Sequence, residues 1–252
     1  MSSKAPILAT HDLGLDIGGA RIVADVSLEV AEGELVGIIG PNGAGKTTLF
    51  NLLSGTLRPT TGRVEVDGRD VTSDPPHKRT QAGLGRTFQV SSVFPLLSVG
   101  ENVRLAAEAR LGGTLSLARR ASRFAPALER AHAALAKVGL AERAGWPAGM
   151  LSHGDKRKLE IAMLLAGEPR VILLDEPMAG VSVEDVDGLV DLIGSVHADG
   201  RTVLLVEHRM EVVVGLAERI AVMHHGSLLA FDTPERVMAD EIVQTAYLGE
   251  PL

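Results

Sequence analysis

Three runs of apolar residues carry no polar face: Leu35-Val36-Gly37-Ile38-Ile39, Val171-Ile172-Leu173-Leu174 and Val203-Leu204-Leu205-Val206. Such runs predict strands buried on both sides, as in a parallel sheet covered by helices. After the first run, Lys46 to Ser54 places Leu49, Leu52 and Leu53 on one side and meets Gly55, which reads as a helix with a glycine stop. Between the second and third runs, Val186 to Val196 has helical spacing. Strands alternating with helices predict an α/β fold. Val64 and Val66 alternate with polar neighbours before Asp67-Gly68, the pattern of a hairpin. From about Glu101 to Leu140 the chain turns rich in Ala, Leu, Arg and Glu, with Leu128, Ala131, Leu135 and Val138 at helical spacing. This predicts an all-helical insertion, about 90–165, set into the α/β body. The basic run Arg119-Arg120-Ala121-Ser122-Arg123 reads as a solvated face.

Length and composition narrow the class. The chain has 252 residues, enough for one large domain or one with a sizeable subdomain. Hydrophobic residues make up 45% and charged residues 23%, which excludes a disordered or fibrous chain. No apolar run approaches the roughly 18 residues that span a bilayer. The start, Met1 to Pro6, lacks an apolar segment, so no secretory signal is expected. Cysteine is absent, which excludes disulfides and thiolate metal sites and fits a cytoplasmic protein. A net charge of −7 and 3% aromatics speak against a nucleic-acid binder.

The sharpest chemical signal is Gly40-Pro41-Asn42-Gly43-Ala44-Gly45-Lys46-Thr47, which fills every fixed position of G-x-x-x-x-G-K-[ST] between a buried strand and an amphipathic helix. Glycines let the backbone curl until successive N–H groups face one concavity, where they bind phosphate oxygens. The helix adds the positive end of its dipole. Lys46 supplies a cation for the β- and γ-phosphates, and the Thr47 hydroxyl suits Mg²⁺. A nucleoside triphosphate also needs a carboxylate on the metal side and a group to activate water. The strand Val171–Leu174 ends in Asp175-Glu176, at the edge where open α/β sheets bind ligands. Asp175 is the candidate for Mg²⁺, through water, and Glu176 the candidate general base.

With these motifs the chain resembles an ATP-binding-cassette (ABC) ATPase over nearly its whole length. Gln89 in Arg86-Thr87-Phe88-Gln89 matches the family's Q-loop glutamine, Leu151-Ser152-His153-Gly154-Asp155 its signature sequence, and Glu207-His208 its switch histidine. The resemblance implies a P-loop cassette with a RecA-like mixed sheet core, an antiparallel β subdomain and a helical subdomain. The core would take about 1–89 and 166–225, the helical subdomain about 90–165, and a C-terminal tail about 226–252. It also implies ATP and Mg²⁺ as cofactors, Thr48 beside Thr47 at the phosphates, and Gln89 as a Mg²⁺ and γ-phosphate sensor. The active unit would be a homodimer, or a heterodimer with a second ABC ATPase, with ATP between the loop of one subunit and Ser152 and Gly154 of the other. Transmembrane permease subunits and a solute-binding protein would complete the system, with the ATPase peripheral on the inner membrane face. Lys158–Ala162, Met178–Ser182 and the ending Ala246-Tyr247-Leu248-Gly249-Glu250 are similar to the ATPases of branched-chain amino acid importers and of the related urea/amide importers. Lipid or lipopolysaccharide export ATPases share the Tyr-Leu-Gly-Glu tail. A soluble ABC ATPase of translation or DNA repair is the reading from another class; two cassettes or long coiled-coil inserts would mark it, and neither is present.

Several positions depart from the family pattern or read two ways. Ile17 precedes Gly18-Gly19 where an aromatic usually stacks on adenine, which points to modest nucleotide affinity and loose base selectivity. Asp155 replaces a glutamine; it weakens γ-phosphate capture or caps its helix, since Ser152-x-x-Asp155 is also a capping box. Ser182 replaces an aspartate of a cross-subunit contact. Val93-Phe94-Pro95-Leu96-Leu97 reads equally as permease contact or as core. His208 reads as a switch or as a satisfied buried histidine. His224-His225, as strand neighbours, should point to opposite faces rather than share a metal.

Overall fold

The computed structural model describes residues 5–87, 93–111 and 117–248. They fall into two compact units. The first runs to Arg86, returns for Arg170–Glu176 and resumes at Val196; the second comprises Thr87–Pro169 and Pro177–Ser195.

The first unit contains the strands β1 (Pro6–Ile17), β2 (Ala20–Ala31), β3 (Leu35–Ile39), β4 (Thr61–Val66), β5 (Arg69–Asp70), β6 (Leu84–Arg86), β7 (Val171–Asp175), β8 (Thr202–Val206), β9 (Arg219–His224) and β10 (Ser227–Asp232). They form two sheets, ordered β2-β1-β4-β5 and β10-β9-β3-β8-β7-β6. The first sheet is antiparallel throughout. In the second, β6, β7, β8, β3 and β9 run parallel and only β10 runs against its neighbour. The three apolar runs are β3, β7 and β8, and every residue in them is buried. They are adjacent in the order β3-β8-β7, so the loops after all three leave from one edge of the sheet, where such sheets hold ligands. The Asp67-Gly68 hairpin forms, with both residues at positive φ (54° and 72°).

Helix α1 (Lys46–Ser54) follows β3 and buries Leu49, Phe50, Leu52 and Leu53 in the same core cluster as Val36 and Ile38 of β3, Leu173 of β7 and Leu204 of β8. It ends where the glycine stop predicts, with Gly55 left-handed at φ 77°. The short α2 (Pro76–Gln81) leads into β6.

The second unit is helical, with α3 (Val99–Arg110), α4 (Leu117–Lys137), α5 (His153–Ala166) and most of α6 (Val183–Ala198). Ala131, Leu135 and Val138 are buried as their spacing predicts, whereas Leu128 is half-exposed. Ser98 caps α3, its Oγ accepting from the Glu101 N–H. The buried Asn102 accepts from the Phe94 N–H and donates to the Phe94 and Ser98 carbonyls. That pins the loop before α3.

The first unit resumes with α7 (Met210–Leu216), α8 (Pro234–Ala239) and α9 (Glu241–Leu248). The close approach of α7 to β3 requires Gly37, where a Cβ would meet Val213 Cγ1 at 2.3 Å. One expectation is overturned here. β9 ends at His224, and His225 takes φ 47° in the turn to β10, so the two histidines do not alternate across a strand. Their rings meet edge to face with centroids 4.1 Å apart. Among the described residues, no group of three or more His, Asp or Glu side chains is placed to hold a metal.

Candidate nucleotide-binding site

The phosphate loop is set by its backbone. Gly40 has φ 152° and lies so close to β9 that a Cβ would stand 2.2 Å from the Met223 carbonyl oxygen. Gly45, at φ 96°, turns the chain into α1. No side chain caps that helix and no acid occupies its first turn, so its leading N–H groups are left for an anion. The β9–β10 turn braces the loop from behind, since the Gly226 N–H donates to the Ala44 carbonyl and the Ala24 N–H to that of Gly226. Gly40→Ala is expected to push the loop off β9 and lower nucleotide affinity about tenfold or more, a cost of roughly 1–3 kcal/mol. Titration with a fluorescent ATP analogue checks this; unchanged affinity would show that the loop tolerates the shift.

Lys46 is buried, its ammonium donating to the carbonyls of Gly40 (2.6 Å) and Pro41 (3.0 Å). Burial lowers its pKa from the ordinary value, and the charges of Glu176 and Asp175 oppose that. A cleft of about 360 Å³ opens here, lined by Ile22, Asn42, Gly43, Ala44, Gly45, Lys46, Thr47, Thr48, Glu176 and His208. Seven consecutive loop and helix residues thus meet the residues after β7 and β8 in one concavity.

Asp175 is the last residue of β7 and is fully buried. Its Oδ2 accepts from Arg86 Nη2 at 2.8 Å. Burial raises its carboxyl above the ordinary range, Arg86 and Lys46 pull it down, and Glu176 pushes it up. Glu176 takes a left-handed φ of 49°, strained for a residue with a side chain. Its N–H donates to the Val206 carbonyl of β8 (2.9 Å), and the turn sends its carboxylate into the cleft. There Oε1 lies 2.9 Å from His208 Nε2. His208 is half-exposed, so the reading as a buried, satisfied histidine does not hold.

Other expected positions lie elsewhere. Gln89 is outside the described residues. Ile17 closes β1 on the hairpin to β2 and is 55% exposed; it is Ile22, which sequence reasoning passed over, that lines the cleft. Ser152 and Gly154 open α5 in the second unit. Ser152 caps the helix, accepting from the Asp155 N–H at 3.1 Å. The other half of the expected capping box is absent, because the Asp155 carboxylate turns to Arg143 and pairs with it. Arg143 thereby balances the acid that stands in place of glutamine. Ser182 donates to Asp185 at 2.9 Å, and that carboxylate rests against Gly154, where a Cβ would be 2.7 Å from it. Sequence reasoning also missed Arg86 and the Gly226 turn as parts of the site.

A curled loop between a buried strand and a helix, with paired acids ending a nearby parallel strand, defines a P-loop nucleoside triphosphatase. Residues 23–179 match the family described as ABC transporter. The chain belongs to that family and is an ATP-hydrolysing subunit of an ABC transporter. It is 40% identical over 254 residues to BraF of Pseudomonas aeruginosa, a high-affinity branched-chain amino acid transport ATP-binding protein, covering 97% of this chain and 98% of BraF. It is 39% identical over 251 residues to LivG of Salmonella typhimurium, of the same description, with the same two coverages. A nucleotide-free ATP-binding cassette from an ABC transporter superposes with a TM-score of 0.85 at 30% identity, covering 97% of this chain and all of the other.

Proposed function

We propose that this ATPase powers the uptake of branched-chain amino acids, as one of two cassettes on a pair of permease subunits at the inner membrane face. The observation that carries this reading is the likeness to BraF and LivG from end to end, helical unit and tail included. The ATPase itself does not contact the solute, so the solute reading rests on kinship rather than on the cleft.

The cleft supports a division of labour. Loop N–H groups and the front of α1 hold the phosphates, with Lys46 against the β- and γ-oxygens. Mg²⁺ fits the donors present, because the Thr47 hydroxyl lines the cleft and Asp175 ends β7 with hard carboxylate oxygens. When bound, that ion neutralises charge building on the phosphates. Glu176 takes the proton of the attacking water, and His208, 2.9 Å away, fixes the carboxylate's direction. Ser152 and Gly154 are the candidates for the partner cassette's γ-phosphate, and Gln89 for sensing it.

The loop before α3 is the proposed contact with the permease. Leu96 is 95% exposed and Phe94 54%, yet Asn102 fixes the backbone beneath them. That exposure favours the docking reading over the core reading. Leu96→Asp is expected to abolish ATPase stimulation by solute-loaded binding protein in reconstituted transporter while the isolated subunit hydrolyses ATP normally. Full stimulation in that variant would overturn the assignment. Vesicle uptake of leucine, isoleucine or valine driven by the assembled system tests the solute; transport of urea or extraction of lipid instead would overturn it.

A further inference from the structure

Arg86 joins the two elements that carry the proposed metal ligands. It is the last residue of β6, opposite Leu173 of β7, and the last of the first unit before the chain leaves it. Its guanidinium divides its donors: Nη2 to Asp175 Oδ2 at 2.8 Å, Nη1 to Asn51 Oδ1 at 2.7 Å and to Ser54 Oγ at 2.9 Å. The ion pair is almost wholly enclosed, with 7% of the Arg86 side chain and none of the Asp175 side chain exposed. Asn51 lies four residues after Thr47 on α1, one helical turn behind it. A single planar cation thus spans from the Thr47 helix to the Asp175 strand. The Phe50 ring lies on its flank, with the guanidinium carbon 5.8 Å from the ring centroid.

Only arginine can do this. Its rigid fork presents donors in two directions at fixed angles, whereas an ammonium is a point charge on a flexible stem. Without the fork, Asp175 would sit buried beside Glu176 with one fewer cation and without the tie to α1. Groups that hold a metal's carboxylate in place tune affinity strongly, and their loss typically costs about 10–100-fold in metal affinity or activity.

We infer that Arg86 is a positioning residue that sets the direction of Asp175 for Mg²⁺ and locks that direction to α1, so that Mg²⁺ recognition depends on a residue that touches neither metal nor nucleotide. This rests on the reading of Asp175 as the Mg²⁺-side carboxylate. The test compares wild type with Arg86→Met, Arg86→Lys and Asn51→Ala. The Mg²⁺ concentration for half-maximal ATPase should rise about 10–100-fold in Arg86→Met. Arg86→Lys should fall between Arg86→Met and wild type, and Asn51→Ala should show a smaller rise. ATP binding in EDTA should stay within about twofold, since Arg86 is not among the loop groups at the phosphates. A second readout is the electron paramagnetic resonance of Mn²⁺ on the ADP-loaded protein, where Arg86→Met should lose the protein-bound signal at concentrations that saturate wild type. If Arg86→Met does not fold, Arg86→Lys and Asn51→Ala carry the same comparison. Wild-type Mg²⁺ and Mn²⁺ titrations in a folded Arg86 variant would overturn the inference alone. A wild-type protein whose hydrolysis ignores Mg²⁺ would overturn both it and the metal reading.

Discussion

Glu176→Gln is expected to lower ATP hydrolysis by about 10²–10⁴-fold, the usual contribution of a positioned general base, while ATP still binds. The substitution keeps volume and shape, and the amide can still bond His208 across the 2.9 Å gap. It also keeps the same propensity for the left-handed φ at this position, so the turn after β7 is not disturbed. What it removes is the capacity to accept a proton from water. With hydrolysis stopped, two cassettes joined by ATP have no route apart, so the variant should accumulate as a dimer when ATP is added. Phosphate release and size-exclusion chromatography, with and without ATP, read the two effects separately. Hydrolysis at the wild-type rate would reject Glu176 as the base; lost binding would show that the carboxylate holds nucleotide instead.

Arg79→Met should have the largest effect on stability, about 3–5 kcal/mol. Arg79 is fully buried on α2 and all its bonds go to backbone oxygens. Nη1 donates to Leu52 (2.6 Å) and Leu53 (2.7 Å), Nη2 to Thr72 (2.9 Å) and Nε to Asp74 (3.0 Å). Leu52 and Leu53 lie in the last turn of α1, where carbonyls lack the usual i+4 partner and carry the negative end of the helix dipole; the Leu52 carbonyl also accepts from the Gly55 N–H at 3.3 Å. Methionine fills much of the volume but leaves four carbonyl oxygens without this donor, those of Leu52 and Leu53 in buried contacts and those of Thr72 and Asp74 in part-buried ones; each buried one is worth about 1–3 kcal/mol before water or rearrangement recovers part of it. At roughly 2–4 °C per kcal/mol for a chain of this size, melting should fall by about 6–20 °C. Thermal denaturation checks this; a shift under 2 °C would mean that water replaces the guanidinium without loss.

The parts of the site that sequence made legible are those whose chemistry is contiguous. Gly40–Thr47 must be consecutive because one curl of backbone makes the cradle, and Asp175-Glu176 must follow an apolar run because the sheet edge presents them. The buried strands were legible for the same local reason. Arg79 and Arg86 were not, because each finds partners far along the chain: 26 and 27 residues away for Arg79 at Leu53 and Leu52, and 89 away for Arg86 at Asp175. No local pattern marks a guanidinium that will be enclosed. The left-handed turn at Glu176 left no trace either, since glycine or asparagine would have flagged it and neither is there. Asp155 illustrates the converse: its spacing from Ser152 was correct for a capping box, but its carboxylate pairs with Arg143 instead of reaching back to the Ser152 N–H.

The helix behind the phosphate loop is fastened along its length: Lys46 to loop carbonyls at the front, Asn51 and Ser54 to Arg86 on the flank, Leu52 and Leu53 to Arg79 at the rear. It is a strut and not a piston. Nucleotide arriving there meets a seat already assembled, and little of the attraction is used up in ordering the floor.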